Sequence, residues 1–132
     1  VLPETVDGVR YDALSSTCFM SSNLVSITIP EGVGLCNSIF AHSQELESVV
    51  LPSTLTRIPY ELFGDCPSLT SITVPAGVTS IEGIAFGGCT TLETVTYLGT
   101  VAQWNAIEIA GNAFENTPCL YAITCTDGVV EL

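Results

Sequence analysis

Six cysteines, a single histidine and 14 carboxylates are the residues of this 132-residue chain with chemistry to offer. The cysteines stand at 18, 36, 66, 89, 119 and 125, and an even count in a short chain invites a disulfide framework. Zinc would need closely spaced thiolate and imidazole ligands. No C-x-x-C occurs and His42 stands alone between Phe40 and Leu46, so no metal site is expected. A Cys–His nucleophile would need a cysteine beside His42, and nothing in the sequence places one there. Glu45 with Glu47, or Glu93 on a neighbouring unit, has the chemistry for paired acid and base steps, but no apolar pocket is implied around them and a solvated face is the simpler reading. The stretch from Gly83 to Gly88 leads into no Lys-Ser/Thr and reads as a turn, not a phosphate loop. The sequence therefore points to no catalytic residue, no metal and no cofactor.

Charge narrows the partners. Two bases, Arg10 and Arg57, stand against 14 acids, for a formal charge of −12 without one lysine. A nucleic-acid binder needs a basic footprint to neutralise phosphates, and anionic membrane surfaces repel such a chain for the same reason. No apolar run approaches the roughly 18 residues of a membrane span, so no membrane insertion is expected. Hydrophobic residues make up 47% and charged residues 12%, which favours a packed core over disorder. The start, Val1-Leu2-Pro3-Glu4-Thr5, has neither an initiator Met nor a signal-like segment. It reads as a processed or excised fragment of a longer protein, whose missing signal peptide says nothing about export.

The elements that would carry these residues come from an internal repeat of 22 to 23 residues. Leu24-Val-Ser-Ile27-Thr-Ile29-Pro30, Leu46-Glu-Ser-Val49-Val-Leu51-Pro52, Leu69-Thr-Ser-Ile72-Thr-Val74-Pro75 and Leu92-Glu-Thr-Val95-Thr-Tyr97-Leu98 align, and Leu120-Tyr-Ala-Ile123-Thr-Cys125 follows after 28 residues. Six positions before each Leu stand Cys18, Phe40, Phe63, Phe86 and Phe114; three further on come Ser21, Ser43, Cys66, Cys89 and Thr117. A second apolar pair, spaced by three, runs Val6 and Val9, Val33 and Cys36, Leu55 and Ile58, Val78 and Ile81, Val101 and Trp104. Trp104 would fill an Ile position, with the five extra residues of the last unit between Trp104 and Phe114; the second unit would lack one residue between Cys36 and Phe40. In the first unit, Leu2-Pro3 is all that remains of the strand.

β-branched residues at period two specify a short strand with one buried face, and the proline that follows has no N–H with which to continue a ladder. One strand per unit, always in the same direction, stacks into a parallel sheet closed by return turns, which is a solenoid. The expectation is a single domain over residues 1–132 of about five rungs, mainly β, with short helical or 3-10 turns on the return side and an atypical C-terminal repeat over 99–132. Cys66 and Cys89 would lie about 5 Å apart in adjacent rungs, close enough to bridge. A ladder of small buried thiols is the plainer reading. Cys119 and Cys125, roughly 20 Å apart along an extended strand, cannot pair with each other.

The pattern L-x-x-I-x-I-P, V-x-x-I, A-F-x-x-C, as in Leu69-Thr-Ser-Ile72-Thr-Val74-Pro75-Ala-Gly-Val78-Thr-Ser-Ile81-Glu-Gly-Ile-Ala85-Phe86-Gly-Gly-Cys89, resembles the BspA-like leucine-rich repeats of the short Treponema pallidum type. It covers nearly the whole chain, from Leu2 to Cys125. The segment Tyr97-Leu-Gly-Thr-Val-Ala-Gln103-Trp104-Asn-Ala-Ile107 with Asn112-Ala-Phe114 looks like the closing unit of such proteins in gut bacteria. The resemblance implies a right-handed leucine-rich repeat solenoid on a secreted or cell-surface bacterial protein, used for adhesion or protein binding, with no catalytic residues.

Outward positions on the strands are Ser26 and Thr28, Ser48 and Val50, Ser71 and Thr73, Thr94 and Thr96, Ala122 and Thr124, with Tyr121 beside the last pair. Eight of the ten paired positions are hydroxyls, a neutral ladder across the sheet. Hydroxyl residues are well tolerated on any solvated strand face, but such a face is also where solenoids dock other proteins. The leading reading is a protein-binding or adhesion module that uses this face towards a host or neighbouring-cell protein. A spacer that only projects another domain is the alternative, and binding of ice or another crystal surface a distant third. Because solenoids need polar caps, both ends look open and self-association through an exposed parallel edge is expected.

Overall fold

Each unit offers one short run of alternating β-branched residues, and the strands are accordingly two to four residues long. The structure, a computed structural model, describes residues 13–132 together with the backbone of residues 5–6 and 9–10. β1 (Thr5–Val6) and β2 (Val9–Arg10) form an antiparallel pair. They are followed by β3 (Ala13–Leu14), β4 (Ser26–Thr28), β5 (Gly34–Leu35), β6 (Ser48–Val50), β7 (Arg57–Ile58), β8 (Ser71–Val74) and β9 (Ser80–Ile81). The last unit holds β10 (Thr94–Tyr97), helix α1 (Val101–Asn105), β11 (Glu108–Ile109), β12 (Ala122–Cys125) and β13 (Gly128–Glu131).

The chain winds as a β-solenoid. Parallel pairs β4–β6, β8–β10 and β10–β12 build one wall, and β3–β5, β7–β9 and β9–β11 build a second. Ile27, Val49, Ile72, Val95 and Ile123 from the first wall and Leu35, Ile58 and Ile81 from the second bury their side chains between them. At the proline position of the earlier units, Leu98 donates its N–H to the Val74 carbonyl at 3.0 Å, the ladder bond that Pro75 has no N–H to make. Both walls are interrupted at one level: no ladder joins β5 to β7 or β6 to β8.

On the return side five phenylalanine rings stack in a column, Phe19–Phe40–Phe63–Phe86–Phe114, with centroids 5.1 to 5.8 Å apart. Phe19, not Cys18, therefore occupies the first ring position, and Ser22, not Ser21, the polar position that follows. The first unit is one residue shorter between ring and Leu24, and burying a ring outweighs keeping the spacing, since each aromatic removes about 150–250 Å² from water. In the second unit Leu35 is buried and Cys36 only partly so. Leu35 pairs in register with Leu14, which places the missing residue before Leu35 and not after Cys36. Leu2, Pro3 and the side chains of Val6 and Val9, expected as the first strand and first apolar pair, lie outside the described residues, but the ladder position expected for Val9 is held by Leu14, which pairs with Leu35.

Two further expectations change at the C-terminal unit. Trp104 does not replace an isoleucine of the ladder: Ile109 pairs with Ile81, and the extra residues lie before it as α1. Trp104 sits on that helix, buried and edge-on to Tyr97 at 5.4 Å. The helix is started by a capping box between Thr100 and Gln103, and the Asp127 carboxylate accepts from the Val101 N–H at 2.7 Å. The expected open parallel edge after β12 is taken by β13, which pairs antiparallel along it from Ala122↔Glu131 to Cys125↔Gly128.

The return side is made of single turns closed by i→i+3 bonds, as from the Ala41 N–H to the Ser38 carbonyl and from Ser43 to Phe40, with little continuous helix. Residues two before and two after the first four rings adopt left-handed backbone, as at Ser38 and His42, Glu61 and Asp65, and Ile84 and Gly88, whereas around Phe114 only Asn116 does. Alternate N–H groups then point at the next rung: Ser38, Phe40 and His42 donate to the carbonyls of Tyr60, Leu62 and Gly64, at 2.7 to 3.1 Å. These inter-rung bonds offset the cost of left-handed L-residues, about 1–2 kcal/mol each. At Gly88 a Cβ would collide with the Asp65 carboxylate, so glycine is required there by contact as well as by its φ of 74°.

Candidate functional site

The alternation of the strands sends one side chain in two away from the core, and the residues singled out in the sequence emerge on one outer wall. Ser26, Ser48, Val50, Ser71, Thr73, Thr94, Tyr121 and Thr124 are exposed, whereas Thr28, Thr96 and Ala122 are half-buried. Register holds the hydroxyls in file: Ser26 opposes Ser48, Ser71 opposes Thr94, Thr73 opposes Thr96, and Thr96 opposes Thr124. No hydrogen bond to another described residue engages these hydroxyls.

Where β6 and β8 part, this wall opens into a cleft of about 470 Å³, lined among others by Val50, Leu51, Thr73, Pro75 and Leu98, with Glu31 at its edge. Val50 and Leu98 are 57% and 53% exposed, so the cleft presents apolar surface to solvent. Leu98 was missed in the sequence because it stands at a proline position; its departure from proline was the available signal. Exposed Glu47 and Glu93 flank the hydroxyl columns, so the acidity of the chain meets the face only along its margin.

The other candidates fall into structural places. All six cysteines are free thiols, and Cys66 and Cys89 are fully buried. Each sulfhydryl donates to the ring-position carbonyl of the preceding rung, Cys66 to Phe40 at 3.1 Å and Cys89 to Phe63 at 3.0 Å. Burial pushes the Cys66 thiol up to about 11 and the Cys89 thiol up to about 12, away from the reactive thiolate. His42 Nδ1 lies 3.3 Å from the Asp65 carboxylate on the return side, and no hydrogen bond joins its ring to a described sulfur. Glu45 and Glu47 are exposed. Among the described residues no group of three or more His, Cys, Asp or Glu side chains is disposed to hold a metal ion, and no helix is long and apolar enough to cross a membrane.

Several acids join rungs in a way the sequence did not disclose. Glu31 accepts from the Ser53 N–H and hydroxyl and the Thr54 N–H, bonds that lower its carboxyl below the usual range. Glu61 accepts from the Ser38 hydroxyl at 2.6 Å, and Glu82 from Arg57 at 2.7 Å and the Tyr60 N–H at 3.0 Å.

Comparison with known proteins agrees with this geometry. The family model described as BspA type leucine rich repeat region matches residues 12–132, in six copies. A leucine rich cell surface protein of Faecalibacterium prausnitzii A2-165 has a similar structure, with a TM-score of 0.80 and 27% identity over 89% of this chain and 30% of that one. The leucine rich repeat protein of Treponema pallidum has a TM-score of 0.73 and 23% identity over 92% of this chain and 56% of that one, a likeness of fold. The chain thus spans less than two thirds of the length of either structure. No curated protein matches it.

Proposed function

Because the chain belongs to the BspA-type leucine-rich repeat family, we propose that it is a non-catalytic protein-binding or adhesion module of a secreted or cell-surface protein, working through the outer wall of β4, β6, β8, β10 and β12. The observation that carries this reading is the cleft at the break between β6 and β8, where exposed Val50 and Leu98 lie beside the unengaged hydroxyl of Thr73. An apolar recess within a field of hydrogen-bonding groups is the usual anatomy of a protein-docking surface. A surface location is supported by the likeness to the cell-surface protein of Faecalibacterium prausnitzii.

The test is binding of the fluorescently labelled chain to intact bacterial and animal cells, with and without protease treatment of the cells, for the native chain and for Thr73→Glu with Thr96→Glu. A protein-binding face gives a protease-sensitive signal that the double variant loses while its circular dichroism is unchanged. Equal signals from both proteins, or none from either, would instead support a spacer that holds other domains apart.

A further inference from the structure

β13 is the terminal strand of the β13-β12-β10-β8 sheet, and no described strand pairs with its outer edge. Natural edge strands are commonly guarded by lysine, proline, a bulge or a covering segment. Gly128-Val129-Val130-Glu131 has neither lysine nor proline, and its four-residue register with β12 is unbroken. Val129 is 58% exposed, and at the far end of the strand Leu132 and the opposed Tyr121 are also exposed.

Hydrogen-bond phase decides which groups face outward. The Leu132 N–H donates to the Tyr121 carbonyl at 2.9 Å, which makes that opposed pair, and by alternation Val130 with Ile123 and Gly128 with Cys125, the bonded pairs of the hairpin. The N–H and C=O of Val129 and Glu131 therefore point away from β12, and α1 meets the hairpin at its turn, where Val101 donates to Asp127.

We propose that β13 is a homodimerisation edge, pairing antiparallel with β13 of a second copy about a twofold axis through Val130. In this register Val129 of each copy exchanges both backbone bonds with Glu131 of the other, four bonds in all, and the two Val130 side chains meet on the inner face. The alternative centred on Val129 keeps the same phase but brings Asp127 opposite Glu131, which like charge disfavours. A second copy is favoured as occupant because the strand is complementary to itself in that one register. Of the 14 acids, only Asp127 and Glu131 lie on the hairpin, and Asp127 is held by the Val101 N–H, which limits repulsion between two copies at this edge. Pairing across a twofold also closes on itself and stops at two copies. The inference does not rest on the binding role of the outer wall.

Sedimentation velocity of the 132-residue chain over a range of concentrations, with reductant present to exclude disulfide pairs, tests it. The native chain should pass from monomer to dimer and no further. Val129→Pro removes only an outward N–H and is tolerated on an edge; it should stay monomeric, with the fold checked by Trp104 fluorescence. Val129→Lys places an ammonium opposite each Glu131 and should dimerise more tightly than Val129→Glu, by about tenfold for two cross-strand pairs. A monomer at every concentration, dimers unaffected by Val129→Pro, or equal affinity of the Lys and Glu variants would each overturn the proposal.

Discussion

The polar position three residues after each ring shows how one side chain serves the stack. Ser43 donates its hydroxyl to the Phe19 carbonyl at 3.0 Å, and Cys66 and Cys89 make the same bond one rung later each time. A thiol and a hydroxyl are thus interchangeable as donors here, but only the thiol loses its proton within the alkaline range a folded protein can be taken through. An ordinary thiol titrates near 9.0, and burial raises Cys66 to about 11 and Cys89 to about 12. The unfolded chain loses these protons first as pH rises, so the stability they contribute is complete below about pH 9 and declines between 9 and the folded values. The slope is about 1.4 kcal/mol per pH unit for each thiol. Urea unfolding midpoints measured with reductant from about pH 8 to about pH 11 should fall for the native chain and fall less for Cys66→Ser with Cys89→Ser. That comparison separates the thiols from Tyr97, whose buried phenol is raised as well. Equal slopes for the two proteins would refute the assignment.

At the scale of elements, the break in both walls sets β6 and β8 apart from β10. β10 has ladder partners on both sides, β6 has only β4, and β8 has only β10. Part of the cause is local: the second unit reaches Leu35 five residues after Pro30, whereas the third reaches Ile58 six after Pro52, so β5 and β7 fall out of phase. The phenylalanine column and the turn ladder cross the break intact, so opening there should hinge on the return side. Hydrogen exchange followed by mass spectrometry should show peptides covering β6 and β8 exchanging faster than those covering β10; uniform protection would mean that the break closes in solution. The repeat, the strand positions and the outer wall were legible in the sequence, because period two and a terminal proline act locally and recur. What was not legible depended on competition between positions. Phe19 against Cys18 and Leu35 against Cys36 are decided by which side chain buries more apolar surface, and Ile109 against Trp104 by α1, whose capping box at Thr100 and Gln103 went unread. The cleft was hidden for a different reason: it arises from a missing ladder, which no single residue encodes.

For the whole molecule, the charge of −12 is borne largely by exposed carboxylates, and those that are engaged serve more often as acceptors for neutral groups than as ion-pair partners. Glu31, Glu61 and Asp127 each accept from neutral N–H or hydroxyl groups of a neighbouring rung or turn; among the described residues Arg57–Glu82 is a side-chain ion pair, and His42 approaches Asp65. Hydrogen bonds from neutral donors survive salt, while repulsion between exposed carboxylates is screened once the Debye length falls to about 8 Å near 0.15 M. Repulsion destabilises the compact state, so at pH 7 the thermal midpoint should rise as salt is raised from a few millimolar towards that level. Relief of about 1 kcal/mol would move the midpoint by about 4 °C in a domain of this size. Sodium chloride and sodium perchlorate should act alike at equal ionic strength in this low range, because screening counts charge and not the kind of ion. If the midpoint fell with salt, the exposed Arg57–Glu82 contact and its like would be the dominant charge term, and the acidic surface would be a source of cohesion between rungs instead of a cost that the apolar core overcomes.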